Sequence, residues 1–254
     1  MKTTQEKIVA IGGGKLAEHE TLKIDQEIVR LTGKRKPNAL FIPTASSDSE
    51  EYWEFFHAVY GRKLGCRTDV LWLLRETPAP KICREKILSA DLIYVGGGNT
   101  LKMMRRWRWL GVDKLLRRSL KNGTVLAGLS AGCICWFEWG HSDSMAFYHP
   151  EDWDYVRVKG MGFINALGCS HYHAEKREEN FRAMVKRNGD IGLAMDNNCA
   201  LEVINGKYRV ITSQKGVNAY RVHRHRGKVF QEIIEQKKKY EPLEFLVSPC
   251  SSST

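Results

Sequence analysis

The residues best placed to do chemistry are Gly128-Leu129-Ser130-Ala131-Gly132, which follow the apolar run Thr124-Val125-Leu126-Ala127. A strand that ends in G-x-S-x-G and passes into helix-compatible residues is the setting of a nucleophile elbow. Small neighbours there permit a strained backbone that lifts the serine hydroxyl off the sheet. The N–H of Ala131 then points at the oxyanion that develops during acyl transfer. A serine hydroxyl is too weakly acidic to attack unaided, so a histidine must take its proton and a carboxylate must hold that histidine. Two sets of partners meet the requirement. Ser130, Asp196 and His223 follow the chain order of an α/β-hydrolase, whereas Ser130, Asp143 and His171 form a compact set between positions 130 and 171.

Two further glycine turns follow apolar runs. Gly96-Gly97-Gly98-Asn99-Thr100 exposes consecutive backbone N–H groups, a nest suited to an oxyanion, with Asn99 as helix N-cap and candidate substrate contact. Gly12-Gly13-Gly14-Lys15-Leu16-Ala17 formally fits a dinucleotide fingerprint. The next strand, however, ends in Phe41-Ile42-Pro43-Thr44-Ala45, without the acidic residue that would hold a ribose, and Asp48 comes too late. A tight strand-to-helix turn is the simpler reading. An NAD(P)-binding protein or a non-enzymatic binding protein of similar fold stays as an alternative.

The elements that must position these turns alternate. Short apolar runs at 7–11, 38–42, 68–73, 91–95 and 124–127 read as strands; 21–31, 50–64, 84–89 and 100–120 read as helices, the last either one long or two abutting. Strands apolar on both faces and separated by helices imply an α/β fold, a mostly parallel sheet with helices on both faces. Residues 136–160 lack either periodicity and read as an irregular segment over the site. A helix over 175–187 and short strands at 191–194, 200–204, 207–211 and 217–222 suggest a short antiparallel extension near the C-terminus. One domain over 1–246 and a disordered tail over 247–254 are expected.

Composition narrows the partners. The 254 residues are 43% apolar and 27% charged, enough to bury a full core. The formal charge of +11 comes from scattered clusters such as Arg105-Arg106-Trp107-Arg108 and Arg117-Arg118, which read as solvated faces in the absence of a nucleic-acid motif. Seven irregularly spaced cysteines form no zinc pattern, so free thiols, no metal and no cofactor are expected. The chain shows neither an apolar leader nor a membrane-length apolar stretch. A cytoplasmic monomer or homodimer acting on a small peptide, with no nucleic-acid or membrane partner, is the expectation.

Five motifs in order carry a resemblance over roughly Ile8 to Val222: Gly12-Gly13-Gly14, the strand end from Phe41 to Ser46, Gly96 to Thr100, Gly128 to Gly132, and Cys169-Ser170-His171-Tyr172. The chain resembles the serine peptidases that include dipeptidase E (aspartyl dipeptidase) and cyanophycinase, whose fold is like that of class I glutamine amidotransferases. The resemblance implies Ser130 as nucleophile, His171 as base, and Gly98 and Ala131 as oxyanion donors. Asp143 lies near the position of the third member, with Asp152 or Asp154 as alternatives. Arg177, in Glu175-Lys176-Arg177-Glu178, is similar to the arginine that pairs with a substrate aspartate, although its spacing from His171 is shorter. Dipeptides with an N-terminal aspartyl residue are thus the implied substrates. Cys133 and Cys135 invite a thiol mechanism by analogy with the amidotransferases, but the elbow position itself is serine.

Overall fold

The structure, a computed structural model, describes residues 4–174, 177–189 and 191–248. Strands β1 (Lys7–Ile11), β2 (Asn38–Ile42), β3 (Arg67–Val70), β4 (Leu92–Val95) and β5 (Val125–Leu129) pair in parallel in the order β1-β5-β4-β2-β3. Alternate side chains serve opposite faces, as the two-residue repeat of a strand requires. Val9, Ile11, Phe41 and Tyr94 pack under α1 (Leu22–Leu31) and α2 (Glu50–Phe56). Ile8, Ala10, Ile42, Ile93 and Leu126 pack under α3 (Pro80–Ser89), α4 (Thr100–Leu110) and α5 (Val112–Lys121). Gly111, at φ 70°, separates α4 from α5, so the run 100–120 is two helices.

The antiparallel part is larger than expected. β10 (Cys199–Ile204), β11 (Lys207–Thr212) and β14 (Glu241–Pro242) extend the central sheet beyond β1. A second, six-stranded sheet runs β13 (Lys228–Ile234), β12 (Ala219–His225), β9 (Gly192–Met195), β8 (Ile164–Cys169), β6 (Phe137–Ser142) and β7 (Val156–Lys159). One face joins the main core through Ile164, Leu193, Met195 and Ala219, and the other lies under α7 (Arg177–Asn188). The segment 136–160, expected to be irregular, therefore contains two strands. Its polar residues hid them because their partners are distant or local side chains: buried His141 meets Asn180, and Ser142 meets Ser144. Val247 and Ser248, expected to belong to a disordered tail, are ordered instead: Val247 ends a short helix, α8 (Glu244–Val247), and the Ser248 carbonyl accepts from Arg221. Positions 249–254 lie outside the described residues.

The basic clusters on α4 and α5 are largely exposed, as expected, and several of their side chains also clamp neighbouring segments. Arg108 donates to the carbonyl of Lys159, Arg117 to that of Met161, and Arg106 to Thr77 Oγ1. No helix among the described residues is long and apolar enough to cross a membrane.

A buried acid on the inner face of α1 gives the fold a pH dependence. Asp25 accepts from Thr21 Oγ1 at 2.8 Å and Tyr60 Oη at 2.7 Å within a stack of aromatic rings. Burial pushes its carboxyl up from 3.8 to about 7, against the opposing pull of those hydrogen bonds. The folded state then binds more protons than the unfolded chain between these values, so stability is fullest at the acid end and falls as pH rises through the window. Asp25→Asn is expected to flatten this fall, by up to about 4 kcal/mol between pH 4 and 8. Chemical denaturation across that range checks it; parallel curves for variant and wild type would refute it.

Candidate active site

The carboxyl edge of the parallel sheet gathers the three glycine turns. Ser130 joins β5 to α6 (Ala131–Ile134) at φ 58° and ψ −110°, a strained conformation for an L residue. The turn is tight because its glycines leave room for backbone: a Cβ on Gly128 would lie 2.3 Å from the Gly132 carbonyl oxygen, and one on Gly132 2.1 Å from that of Val95 in β4. The Ser130 N–H donates to the Ile11 carbonyl at 3.1 Å, tying the turn to β1. The Ala131 N–H opens α6, and the first N–H groups of a helix have no intrahelical partner. Gly97 lies over the serine, since a Cβ there would sit 3.2 Å from Ser130 Cβ and 3.6 Å from Oγ. Gly98 takes φ 130°, with the Ala45 carbonyl directly behind it.

His171 follows β8 and reaches the same edge. Its N–H donates to the Gly12 carbonyl at 3.0 Å, so consecutive carbonyls at the end of β1 hold Ser130 and His171. Nδ1 lies 2.6 Å from Oδ1 of Asn197, which sits in the turn between β9 and β10. An amide oxygen only accepts, so Nδ1 carries the hydrogen and Nε2 keeps its lone pair. Burial holds the imidazole pKa below its ordinary value. The His171 ring hydrogen-bonds to Asn197 and makes no hydrogen bond to Ser130 Oγ among the described residues; such catalytic contacts commonly tighten only when substrate binds.

The Gly12-Gly13-Gly14 turn, which fits a dinucleotide fingerprint by sequence, serves this assembly. A Cβ on Gly12 would lie 2.2 Å from the Asp196 carbonyl oxygen; one on Gly13 would lie 2.0 Å from Asn197 Oδ1 and 2.4 Å from His171 Nδ1. The absent side chains are what admit the imidazole and its amide partner. Around them opens a cleft of about 450 Å³ lined by His171, His173, Asp196, Asn197 and Gln214.

The remaining candidates are placed as follows. Asp143 binds Arg177 at 2.5 Å and has no hydrogen bond to His171, whose Nδ1 is taken by Asn197. Arg177 is buried, its guanidinium 4.8 Å from the Tyr155 ring centre, so the cation expected to meet a substrate carboxylate is neutralised internally. Both charges act on His171, Arg177 lowering its pKa and Asp143 raising it, secondary to the effect of burial. Asp152 and Asp154 are exposed. Asn99 is buried; its Oδ1 caps α4 by accepting from the Lys102 N–H at 2.9 Å, which leaves the helix rather than a substrate as its partner. The alternative set of Asp196 and His223 does not assemble. Asp196 holds His173 at 2.6 Å and the Asn218 N–H at 2.9 Å, while His223 meets Arg221 and stacks on Phe230. Burial pushes the thiols of Cys133 and Cys135 well up, so neither supplies a ready thiolate. No cluster of three or more His, Cys, Asp or Glu side chains suited to a metal occurs among the described residues. Asn197 and Tyr52, whose hydroxyl accepts from the Gly97 N–H at 3.4 Å, escaped the sequence reading; an Asn in a turn and a Tyr on an amphipathic helix carry no local signal.

A mixed α/β fold carrying a serine on a strained strand-to-helix turn beside a tautomer-fixed histidine belongs, by its relatives, to the serine-type peptidases. The chain is a member of peptidase family S51, whose sequence signature matches residues 8–211. It is 36% identical over 222 residues to an uncharacterized peptidase, YgaJ, of Bacillus subtilis (strain 168), covering 85% of this chain and 92% of that one. A second uncharacterized peptidase, Lmo0363 of Listeria monocytogenes, is 33% identical over 98 residues, 37% of this chain and 45% of the relative. Among solved structures, a peptidase from an acI-B1 Actinobacterium superposes with TM-score 0.70 at 17% identity, covering 94% of this chain and 98% of that one. A putative peptidase E protein from Listeria monocytogenes EGD-e superposes with TM-score 0.61 at 16% identity, covering 82% and 99%. These two likenesses show the fold, a mixed α/β arrangement as expected from the sequence.

Proposed function

We propose that the chain hydrolyses short peptides through an acyl-enzyme on Ser130, with His171 as the base. The observation that carries this reading is the strained Ser130, held by the Ile11 carbonyl while the next carbonyl holds His171. His171 Nε2 accepts the hydroxyl proton as Oγ attacks the peptide carbonyl, and the charge moves to a carbonyl oxygen stabilised by the N–H groups of Gly98 and Ala131. The imidazolium returns its proton to the leaving amine. Water then repeats the sequence to release the acid. Asn197 keeps the tautomer that this needs but adds no negative charge.

An N-terminal aspartyl preference is a second reading. An aspartyl substrate would have to compete with Asp143 for Arg177, so the preference depends on that ion pair opening. A fluorophosphonate probe tests the central claim, with the adduct expected on Ser130 alone in peptide mass mapping. A probe that fails to react, or an adduct on another residue, would remove Ser130 as nucleophile.

A further inference from the structure

The turn from Gly96 to Asn99 offers its N–H groups unequally. The Gly97 N–H donates to the Tyr52 hydroxyl at 3.4 Å and the Asn99 N–H to the Ala45 carbonyl at 2.9 Å. The Gly98 N–H between them has no acceptor among the described residues, so it is the donor left for a developing oxyanion. Its place is set from behind. Gly98, at φ 130°, packs against the turn that follows β2, where a Cβ would lie 2.3 Å from the Ala45 carbonyl oxygen and 2.8 Å from the Ser46 nitrogen. With no slack between the two turns, displacing one displaces the other.

The turn after β2 is itself strained. Ser47 and Asp48, consecutive L residues, take left-handed backbone at φ 61° and 57°, a conformation that persists only where its surroundings impose it. The Asp48 side chain supplies the constraint. It is 1% exposed, and its Oδ2 accepts from the N–H groups of Leu73, Leu74 and Arg75 at 2.8, 2.6 and 3.0 Å. Three successive amides make a nest for a carboxylate, and here they join the turn to the segment after β3. Oδ1 is buried without a hydrogen bond among the described residues, a cost that a purely stabilising role would not favour. Helix α4 closes the frame. Trp107 Nε1 donates to Thr44 Oγ1 at 3.2 Å, Lys102 to Ser47 Oγ, and Arg106 to the Leu73 carbonyl. The helix that follows Gly98 is thus tied both to the turn and to the segment that Asp48 holds.

We infer that Asp48 is a positioning residue of the proposed reaction: through Leu73, Leu74 and Arg75 it fixes the turn on which the oxyanion donor Gly98 is seated. It touches neither substrate nor the reacting atoms. The inference rests on Ser130 as nucleophile and Gly98 as donor. An N–H aimed at charge that develops only in the transition state contributes to kcat and leaves KM alone.

Kinetics on the dipeptide that the wild type cleaves fastest from a mixed library test it, with thermal unfolding as the check on folding. Asp48→Ala should lower kcat by about 10²-fold, the scale of one lost oxyanion donor, with KM within about twofold of wild type. Asp48→Asn keeps an acceptor but not the charge and should fall about tenfold at the same KM; it decides the matter if the alanine variant does not fold. The acid limb of the pH–rate profile belongs to His171 and should stay in place in both variants, which a general loosening of the site would not spare. Either variant folded with wild-type kcat, a loss carried by KM, or a shifted limb would overturn the role of Asp48 and leave Ser130 standing. A wild type that a small alkyl fluorophosphonate does not label on Ser130 would overturn the reading beneath it.

Discussion

Gly13→Ala is expected to depress peptidase turnover nearly as far as Ser130→Ala, by a factor of about 10³ or more, although position 13 has no atom that could take part in the reaction. The new methyl carbon would fall 2.0 Å from Asn197 Oδ1 and 2.4 Å from His171 Nδ1, on the hydrogen bond that fixes the imidazole. Neither partner can retreat easily. His171 is tied through its N–H to Gly12 and sits at φ 51°, and the Asn198 N–H next to Asn197 donates to the Gly13 carbonyl at 2.9 Å. The imidazole must therefore turn, which loses the tautomer and the aim of Nε2; freezing the wrong tautomer in a serine triad costs about 10⁴ in kcat. The Ser130 turn depends on Gly128 and Gly132 instead, so its strained conformation should persist. The measurement is kcat/KM on a peptide library together with a thermal unfolding curve. A folded Gly13→Ala variant with activity within tenfold of wild type would show that His171 is not held as described.

The same contact explains what could and could not be read from the chain. Four of the five parallel strands were legible because each is a short apolar run buried on both faces, the half-exposed edge strand β3 being the exception, and Ser130 because its turn needs glycine on both sides. Gly12 to Gly14 was visible as a motif but carried the wrong suggestion: the close approach that glycine permits is to the turn from Met195 to Asn198 and to His171, not to a pyrophosphate. Sequence proximity favoured Asp143 as the partner of His171. Pairing within the second sheet instead brings Asn197, 26 residues further on, to Nδ1. The strand β6 within 136–160 was hidden because its polar residues are buried with side-chain partners, as with His141 on Asn180, rather than alternating with apolar ones. Long-range pairing decided each of these, and short-range pattern does not encode it.

Asn197→Asp is expected to move the acid limb of the pH–rate profile upward by about 1–3 pH units, the second large effect the site implies. In the wild type, burial lowers the His171 pKa and Asn197 offers only a neutral acceptor, the nearby charges of Arg177 and Asp143 opposing one another. A base works in its neutral form, so the limb of kcat/KM in which His171 loses its proton should lie below the ordinary histidine value near 6.5. Activity should thus persist into mildly acid solution. A carboxylate at position 197, 2.6 Å from Nδ1, favours the imidazolium and raises the pKa, so the variant should lose activity at acid pH where the wild type retains it. At alkaline pH the change has the opposite sign, because the same carboxylate stabilises the imidazolium that forms as Ser130 attacks. The two curves should therefore cross. Rate profiles of wild type, Asn197→Asp and Asn197→Ala over pH 4–9 distinguish this from simple damage: alanine should lower the rate at every pH without raising the limb. Superimposable limbs for Asn and Asp would mean that position 197 does not face the working imidazole, and the base would have to be sought elsewhere along the edge.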